Sequence, residues 1–268
     1  MKLFRIPALC LLAAVALLSA GADFFAPHDH SMQFRDHILE APSRAFPLGT
    51  DELGRDRFSR LLHGTRTSLS CAPAAALAAT LLAAAIGLAA GLCGGWVDAI
   101  ATAITDLFLS LPWLFALLTL RALLPLNASS LTSIATLFGL LAAVGWAPGA
   151  RIVRASVIDM RDAGPVLYAR GYGCRSWRLV WIHILPNLRP VLSAQFWILV
   201  PVFLLTEANL GVLGLGIVEP TPSWGNLLAE LQNYRRIPES PWILVPALLL
   251  ILVVASLHFV VSERRTWE

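Results

Sequence analysis

Few groups in this 268-residue chain could do chemistry, and their spacing suits holding better than reacting. Lys2 is the one lysine, so the chain lacks the Gly-rich turn and lysine with which P-loop ATPases cradle phosphate. No G-x-S-x-G or H-E-x-x-H string occurs, which removes the nucleophile-elbow and zinc-hydrolase readings. His28 and His30 flank Asp29. That trio suits either a metal ion or a solvated polar loop, and the loop is the simpler reading. His183 and His258 read as packing residues, and Cys10, Cys71, Cys93 and Cys174 as small hydrophobes without C-x-x-C spacing. Two features remain. Glu207 sits in a long apolar run, where a carboxylate is costly and either serves function or pairs with a neighbouring helix. Between Arg151 and Pro190 stand seven arginines (151, 154, 161, 170, 175, 178, 189) against Asp159 and Asp162. An Arg-rich stretch between apolar runs belongs on the cytoplasmic side of a membrane. No catalytic residue, cofactor or metal is expected in the chain itself.

The elements that position these groups are membrane spans. The chain is 57% hydrophobic and 14% charged, with a mean hydropathy of +0.70, against about 45–50% and about 25% in soluble domains. Apolar runs of the ~20 residues needed to cross the hydrocarbon fall at Phe4–Ala22, Ser68–Leu92, Ala99–Leu124, Leu131–Pro148, Val191–Ile217 and Trp242–Val261. The chain therefore reads as an all-α integral membrane protein with six transmembrane helices. The net charge of +3 is small and localised to the loops, which argues against nucleic acid as a partner. Lys2 and Arg5 hold the amino end inside, so both termini and the 151–190 loop are expected in the cytoplasm. Residues 1–22 read as an anchor helix, although Ala20-Gly21-Ala22 would also suit cleavage of a signal peptide.

Residues 23–67 fall outside by this topology despite six arginines (35, 44, 55, 57, 60, 66), accompanied by seven acids. From Phe46 the segment begins with turn residues and becomes helix-like. Leu53, Phe58, Leu61 and Leu62 share one expected apolar side, with arginines on the other, as in an interfacial helix. Pro112 predicts a kink in the third span and Arg121 a snorkelling side chain near its outer end. Gly211, Gly214 and Gly216 suit close helix packing. The 151–190 loop reads as a helix from about Asp162 to Tyr172, a break at Gly173, and a second helix from Trp177 to Ile184. Pro186 then marks re-entry into span five. Glu207, with Asn209, either lines an outer gate or pairs with a neighbouring helix, and Trp224 is placed with them.

Several strings then align with one family. Tyr168-Ala169-Arg170-Gly171-Tyr172-Gly173, followed by Ile184-Leu185-Pro186, resembles the "EAA" loop of ABC importer permeases. Residues 48–69, LGTDELGRDRFSRLLHGTRTSL, resemble the segment before the second helix of dipeptide and oligopeptide permeases. Gly94-Gly95-Trp96-Val97-Asp98, Trp146 to Arg151 with Arg154, Thr206-Glu207-Ala208, Leu213-Gly214-Leu215-Gly216 and Pro220-Thr221-Pro222-Ser223-Trp224-Gly225 follow in that family's order. The chain is identified as similar to the smaller, C-type permease of dipeptide/oligopeptide/nickel importers over about residues 46–262.

The resemblance implies a type I ABC importer permease fold with a cytoplasmic coupling helix. Its permease domain would run over 68–262, after the 1–22 helix and the outer 23–67 segment and before a 263–268 tail. It implies a bacterial inner membrane location and assembly with a second homologous permease and two cytoplasmic ATPase subunits that bind the ATP. A periplasmic or lipid-anchored solute-binding protein would deliver the solute, and membrane lipid surrounds the spans. Leu167, Tyr168, Ala169, Arg170, Gly173, Leu185 and Pro186 would form the ATPase dock. This chain departs from the family there: Leu167 stands at the family's glutamate and Tyr168 at its first alanine. An exposed ion pair is typically worth under ~1 kcal/mol, so an apolar contact from Leu167 can replace it. A non-transporting membrane scaffold with an altered dock is the alternative. A secondary transporter lacks support, since no midplane carboxylate network is present.

Overall fold

The computed structural model describes residues 2–124, 129–164, 176–233 and 237–262. It is helical, with no β-strand among the described residues and one isolated bridge between Thr50 and Asp56. The principal helices are α1 (Lys2–Ala20), α2 (Ala22–Phe25), α3 (Arg57–Cys93), α4 (Gly95–Ser110), α5 (Trp113–Leu123) and α6 (Ser130–Gly145). There follow α7 (Ala147–Arg161), α8 (Ser176–Leu179), α9 (Leu185–Val212), α10 (Trp224–Ala229) and α11 (Val245–Ser262).

Four helical stretches are long and apolar enough to cross a membrane: Arg57–Cys93, Ser130–Arg161, Val180–Val212 and Pro241–Val261. The pair α4 and α5 makes a fifth if its two halves, bent by 89°, form one span. The apolar stretch of α1, Ile6–Ala20, is shorter than the other four, so the expected count of six is met only if α1 also crosses. The bend falls at Leu111-Pro112. Leu111 is extended (φ −81°, ψ 133°), as the residue before proline prefers, and the Pro112 carbonyl accepts the Ala116 N–H of the next helix. The expected kink is therefore a near right angle.

Two helices run further than the sequence suggested. Pro148 does not end span four, because it lies in the first turn of α7, where its missing N–H costs nothing. The Ser130–Arg161 stretch is 32 residues, roughly 48 Å at 1.5 Å per residue, more than the ~30 Å of hydrocarbon. Arg151, Arg154 and Arg161 thus ride on a helical extension of the span. Nor does Pro186 mark a break. Val180–Ile184 forms a π-turn that runs into α9, and Val180–Val212 is one 33-residue helix. The wider turn accommodates the clash and the lost hydrogen bond that Pro186 would impose on a regular α-helix.

The chain forms two compact units: Met1–Pro73, Leu118–Phe138 and Pro201–Glu268 in one, Ala74–Leu117 and Gly139–Val200 in the other. In the first, α1 packs along α11. In the second, buried Val153, Val157, Leu179, Ile184 and Leu188 form a core with Leu88, Leu92 and Met160 against it. Ala83, Trp146, Ala147 and Ala150 form a smaller core nearby. Glycines set the approach of α3 to α7. A Cβ at Gly87 would lie 2.7 Å from the Val153 Cβ, and one at Gly91 2.6 Å from a Val157 methyl. Gly87-Leu88-Ala89-Ala90-Gly91 is thus a small-xxx-small seam of the kind that brings membrane helices together.

Candidate functional site

In the first unit, the arginines of the 46–62 string point inward and the leucine points out. Arg55, Arg57 and Arg60 are buried, Arg60 to 1% exposure, whereas Leu53 is 47% exposed. This reverses the interfacial-helix expectation, although Leu61 and Leu62 are buried as anticipated. The local reason lies in the turn. Gly49 and Gly54 take positive φ (68° and 71°), and a Cβ on either would collide with a carbonyl oxygen, of Glu40 and Phe34 respectively. That tight path turns Asp51 inward, where its carboxylate accepts the Leu53 and Arg55 N–H groups at 2.9 and 2.8 Å and the Arg55 Nε at 2.7 Å. Asp56 then caps α3, accepting the Ser59 N–H as an N-cap aspartate does.

Partners far along the chain complete the cluster. Glu219 accepts a two-pronged contact from Arg60, Nη2 to Oε1 at 2.8 Å and Nη1 to Oε2 at 3.1 Å, and the Arg55 Nη1 at 2.7 Å. Such forked guanidinium–carboxylate pairs are strong and fix orientation. Arg57 donates to the Thr50 carbonyl at 2.9 Å and pairs with Glu230 at 2.9 Å. Burial opposes ionisation of Glu219, but the hydrogen bonds and charges of Arg60 and Arg55 outweigh it and hold its pKa below the ordinary value. Burial raises the pKa of Glu230, against the pull of Arg57.

A second node surrounds Glu207, which is fully buried. Its carboxylate accepts the Ser68 hydroxyl and the Gly225 N–H, each at 3.1 Å. Trp224, also fully buried, donates its backbone N–H to Ser68 at 3.1 Å and its indole N–H to Thr65 at 2.9 Å. Glu207 and Trp224 are therefore joined through Ser68, and together they clamp α10 to the start of α3. Asn209, two residues on, is exposed. Glu207 does pair with neighbouring elements; Asn209 takes a different face.

Arg121 does not snorkel. It is fully buried, donating Nε to the Leu215 carbonyl at 3.1 Å and Nη2 to Ser133 and the Gly216 carbonyl at 3.1 and 3.2 Å. The turn it holds closes α9. Gly214 is left-handed (φ 76°) with open space about it, and the Leu215 and Gly214 N–H groups return to the Leu210 and Gly211 carbonyls, a Schellman closure. Gly214 thus serves the turn rather than helix packing.

In the second unit, arginines of α7 pair with aspartates of α4: Arg151 with Asp106, and Arg154 with Asp98 through Nη2 at 2.6 Å. Arg161 donates to the Gly91 carbonyl at 3.0 Å. A cavity of about 230 Å³ lies beside these pairs, lined by Gly87, Ala90, Ala101, Thr102, Thr105 and Ala150 among others. Of the expected dock, Leu167, Tyr168, Ala169, Arg170 and Gly173 lie outside the described residues, and Leu185 and Pro186 are half-buried at the start of α9. His28 stacks on Phe46, with ring centroids 5.0 Å apart, and lies 3.6 Å from Asp56. Among the described residues, no group of three or more His, Cys, Asp or Glu is placed to hold a metal ion.

The buried ionic cluster escaped local reading because two of its three acids, Glu219 and Glu230, come from elsewhere in the sequence; the one available signal was that segment 23–67 carries acids, Asp51 among them, in near balance with its arginines. The Gly87–Gly91 seam was readable as a motif.

Residues 83–266 match the family model described as "binding-protein-dependent transport system inner membrane component". The chain is 31% identical to the oligopeptide transport system permease protein OppC of Bacillus subtilis, over 83% of this chain and 71% of the relative. It is also 31% identical to the di/tripeptide transport system permease protein DppC of Pseudomonas aeruginosa, over 93% and 82%. The dipeptide permease DppC of Alkalihalophilus pseudofirmus is 29% identical over 94% and 81%. A helical membrane protein with several apolar spans, carrying this match over most of its length, belongs to the family of binding-protein-dependent transport system inner membrane components.

Proposed function

We propose that this chain is one of two permease subunits of an ATP-driven importer for short peptides. The observation that carries the reading is the similarity to permeases whose names specify oligopeptides, dipeptides and di/tripeptides, sustained over more than four fifths of the chain. The second permease is a homologous chain that completes the pathway. Two ATPase subunits dock on the cytoplasmic side, at the segment between α7 and α9, and supply the ATP chemistry, so this chain needs no cofactor and no catalytic residue. A periplasmic or lipid-anchored binding protein delivers the peptide. The protein resides in the bacterial inner membrane with both termini in the cytoplasm.

Within this scheme the buried clusters of the first unit have a mechanical role. The Glu207–Ser68–Trp224 node and the Arg55/Arg60–Glu219 pairs fix the outer ends of the spans, while Asn209 is free to line the pathway. Closure of the ATPases on ATP would push the α7 and α9 extensions and switch the pathway from inward- to outward-facing. The test is uptake of a radiolabelled dipeptide by cells expressing the whole transporter with or without this chain. Energy-dependent accumulation should require the chain. Unchanged uptake without it, and no ATPase co-purifying with it, would instead favour the scaffold reading.

A further inference from the structure

In the second unit, one face of α9 is apolar except at a single position. Leu188 and Leu192, seven and three residues before Gln195, and Leu199, four after it, share its side of the helix. Leu188 and Leu199 are buried, and Leu192 packs against the Val153–Leu188 core. Gln195 is itself only 8% exposed. It lies in the middle of the Val180–Val212 helix, about 22–26 Å from either end, and therefore deep in the bilayer. Its amide meets small, apolar surface. A Cβ on Gly149 of α7 would fall 2.7 Å from the Gln195 Nε2 and 2.9 Å from its Cδ, and 3.0 Å from the Ala83 Cβ of α3. The glycine thus leaves a space that the amide fills. Buried Thr80 and Thr105 return their hydroxyls to the Ala76 and Ala101 carbonyls. The Gln195 amide, by contrast, makes no hydrogen bond among the described residues.

A buried amide without a partner lowers stability, and methionine or leucine would fill the same space without that penalty. Packing therefore does not account for a glutamine here, and a polar residue that breaks a local rule inside a membrane marks function. We infer that Gln195 is a pathway residue: when α9 and α7 part during transport, its amide bonds the uncharged polar groups that pass, water or the amides of a solute. This deepens the proposed function, and rests on it, by naming where the second unit touches what is transported. The contact at Gly149 is made without a hydrogen bond or ion pair from Gln195, so little holds it closed. Nearer the dock, the core of Val153, Val157, Leu179, Ile184 and Leu188 keeps the helices together, and parting at Gln195 need not disturb it. A neutral amide donates and accepts at once, and it carries no charge that would trap a passing solute.

The test uses the complete transporter, purified in nanodiscs for melting and labelling and in cells for uptake. Gln195→Met keeps the length of the side chain and removes its polar atoms. The expected result is a melting temperature raised by about 2–4 °C, unchanged membrane abundance, and dipeptide uptake lowered at least tenfold. With Cys10, Cys71, Cys93 and Cys174 changed to Ser, Gln195→Cys should react with a hydrophilic methanethiosulfonate in the nucleotide-free or the vanadate-trapped transporter. Val153→Cys, in the core, should stay unlabelled in both. Slowing of the reaction by millimolar alanyl-alanine assigns the amide to the solute, and no slowing assigns it to water. A lowered melting temperature or undiminished uptake in Gln195→Met, or no labelling of Gln195→Cys in either state, would overturn the inference. Any of these alongside uptake by the native transporter sinks the inference alone. Absence of uptake by the native transporter sinks the importer reading on which it rests.

Discussion

The two units use charge in opposite ways. In the first, Arg55, Arg57 and Arg60 are buried against Asp51, Glu230 and the partly exposed Glu219, acids that lie up to 179 positions apart (51 to 230) in the chain. In the second, Arg151 and Arg154 pair with aspartates of α4, 45 and 56 positions earlier, and remain partly exposed beside an open cavity. Buried pairs lock: removing one partner leaves a desolvated charge and costs about 3–5 kcal/mol. Partly exposed pairs are worth about 1 kcal/mol or less, so they exchange partners cheaply. The contrast assigns rigidity to the first unit and exchangeable contacts to the second.

The comparison breaks most directly at Arg60. Arg60→Ala removes a guanidinium that is 1% exposed from between Asp51, 3% exposed, and Glu219, 44% exposed, and should destabilise by about 1.5–3 kcal/mol, the worth of hydrogen bonds to charged groups, since Arg55 still serves both acids. The check is a lower melting temperature of the detergent-purified protein and reduced membrane abundance. Arg151→Ala should lower the melting temperature hardly at all, and equal losses from the two changes would erase the distinction between the units. Next in size is Gly91→Val. Its Cβ would fall 2.6 Å from Val157, and overpacking of this kind costs about 1–3 kcal/mol; Gly139→Val, with nothing within 4 Å, is the control. Trp224→Phe keeps the ring but drops the 2.9 Å bond to Thr65, a loss of about 1 kcal/mol that thermal unfolding should resolve.

The smallest effect is one of pH. The pKa of Glu219 is lower folded than the 4.5 it has when exposed. The stability it contributes is therefore fully present above about pH 4.5 and is lost as pH falls through the depressed folded value. Glu219→Gln should be less stable than the native chain near neutrality and show a shallower loss on acidification below pH 4.5. Parallel pH profiles for the two proteins would count against the lock.

How much of this was readable in the sequence depended on distance along the chain. The apolar runs, the helix N-cap region after Gly54, the kink at Pro112 and the family strings are local patterns, and they placed the spans and the fold class. The inward turn of Arg55 and Arg60 was not readable, because an arginine opposite leucines looks solvated until Glu219 and Glu230 are known to be its neighbours. Arg121 was misjudged for the same reason: its partners are the carbonyls of Leu215 and Gly216, more than ninety residues later. Arg151 and Arg154 were assigned to a loop because charge normally ends a span, yet α7 continues to Arg161 with both arginines neutralised by α4. At Pro186 a rule for α-helices failed because the preceding turn is π-helical.

The central claim is that the segment joining α7 to α9 meets an ATPase. Cross-linking tests it most directly, with Ala169→Cys in a chain lacking its four native cysteines, co-expressed with the other transporter subunits. A bismaleimide should join position 169 to an ATPase subunit, and the yield should change when ATP is trapped. Ser130→Cys, at the amino end of α6, should form no such adduct. A cross-link to an ATPase from position 130 and none from 169, or the absence of any co-purifying ATPase, would contradict the account.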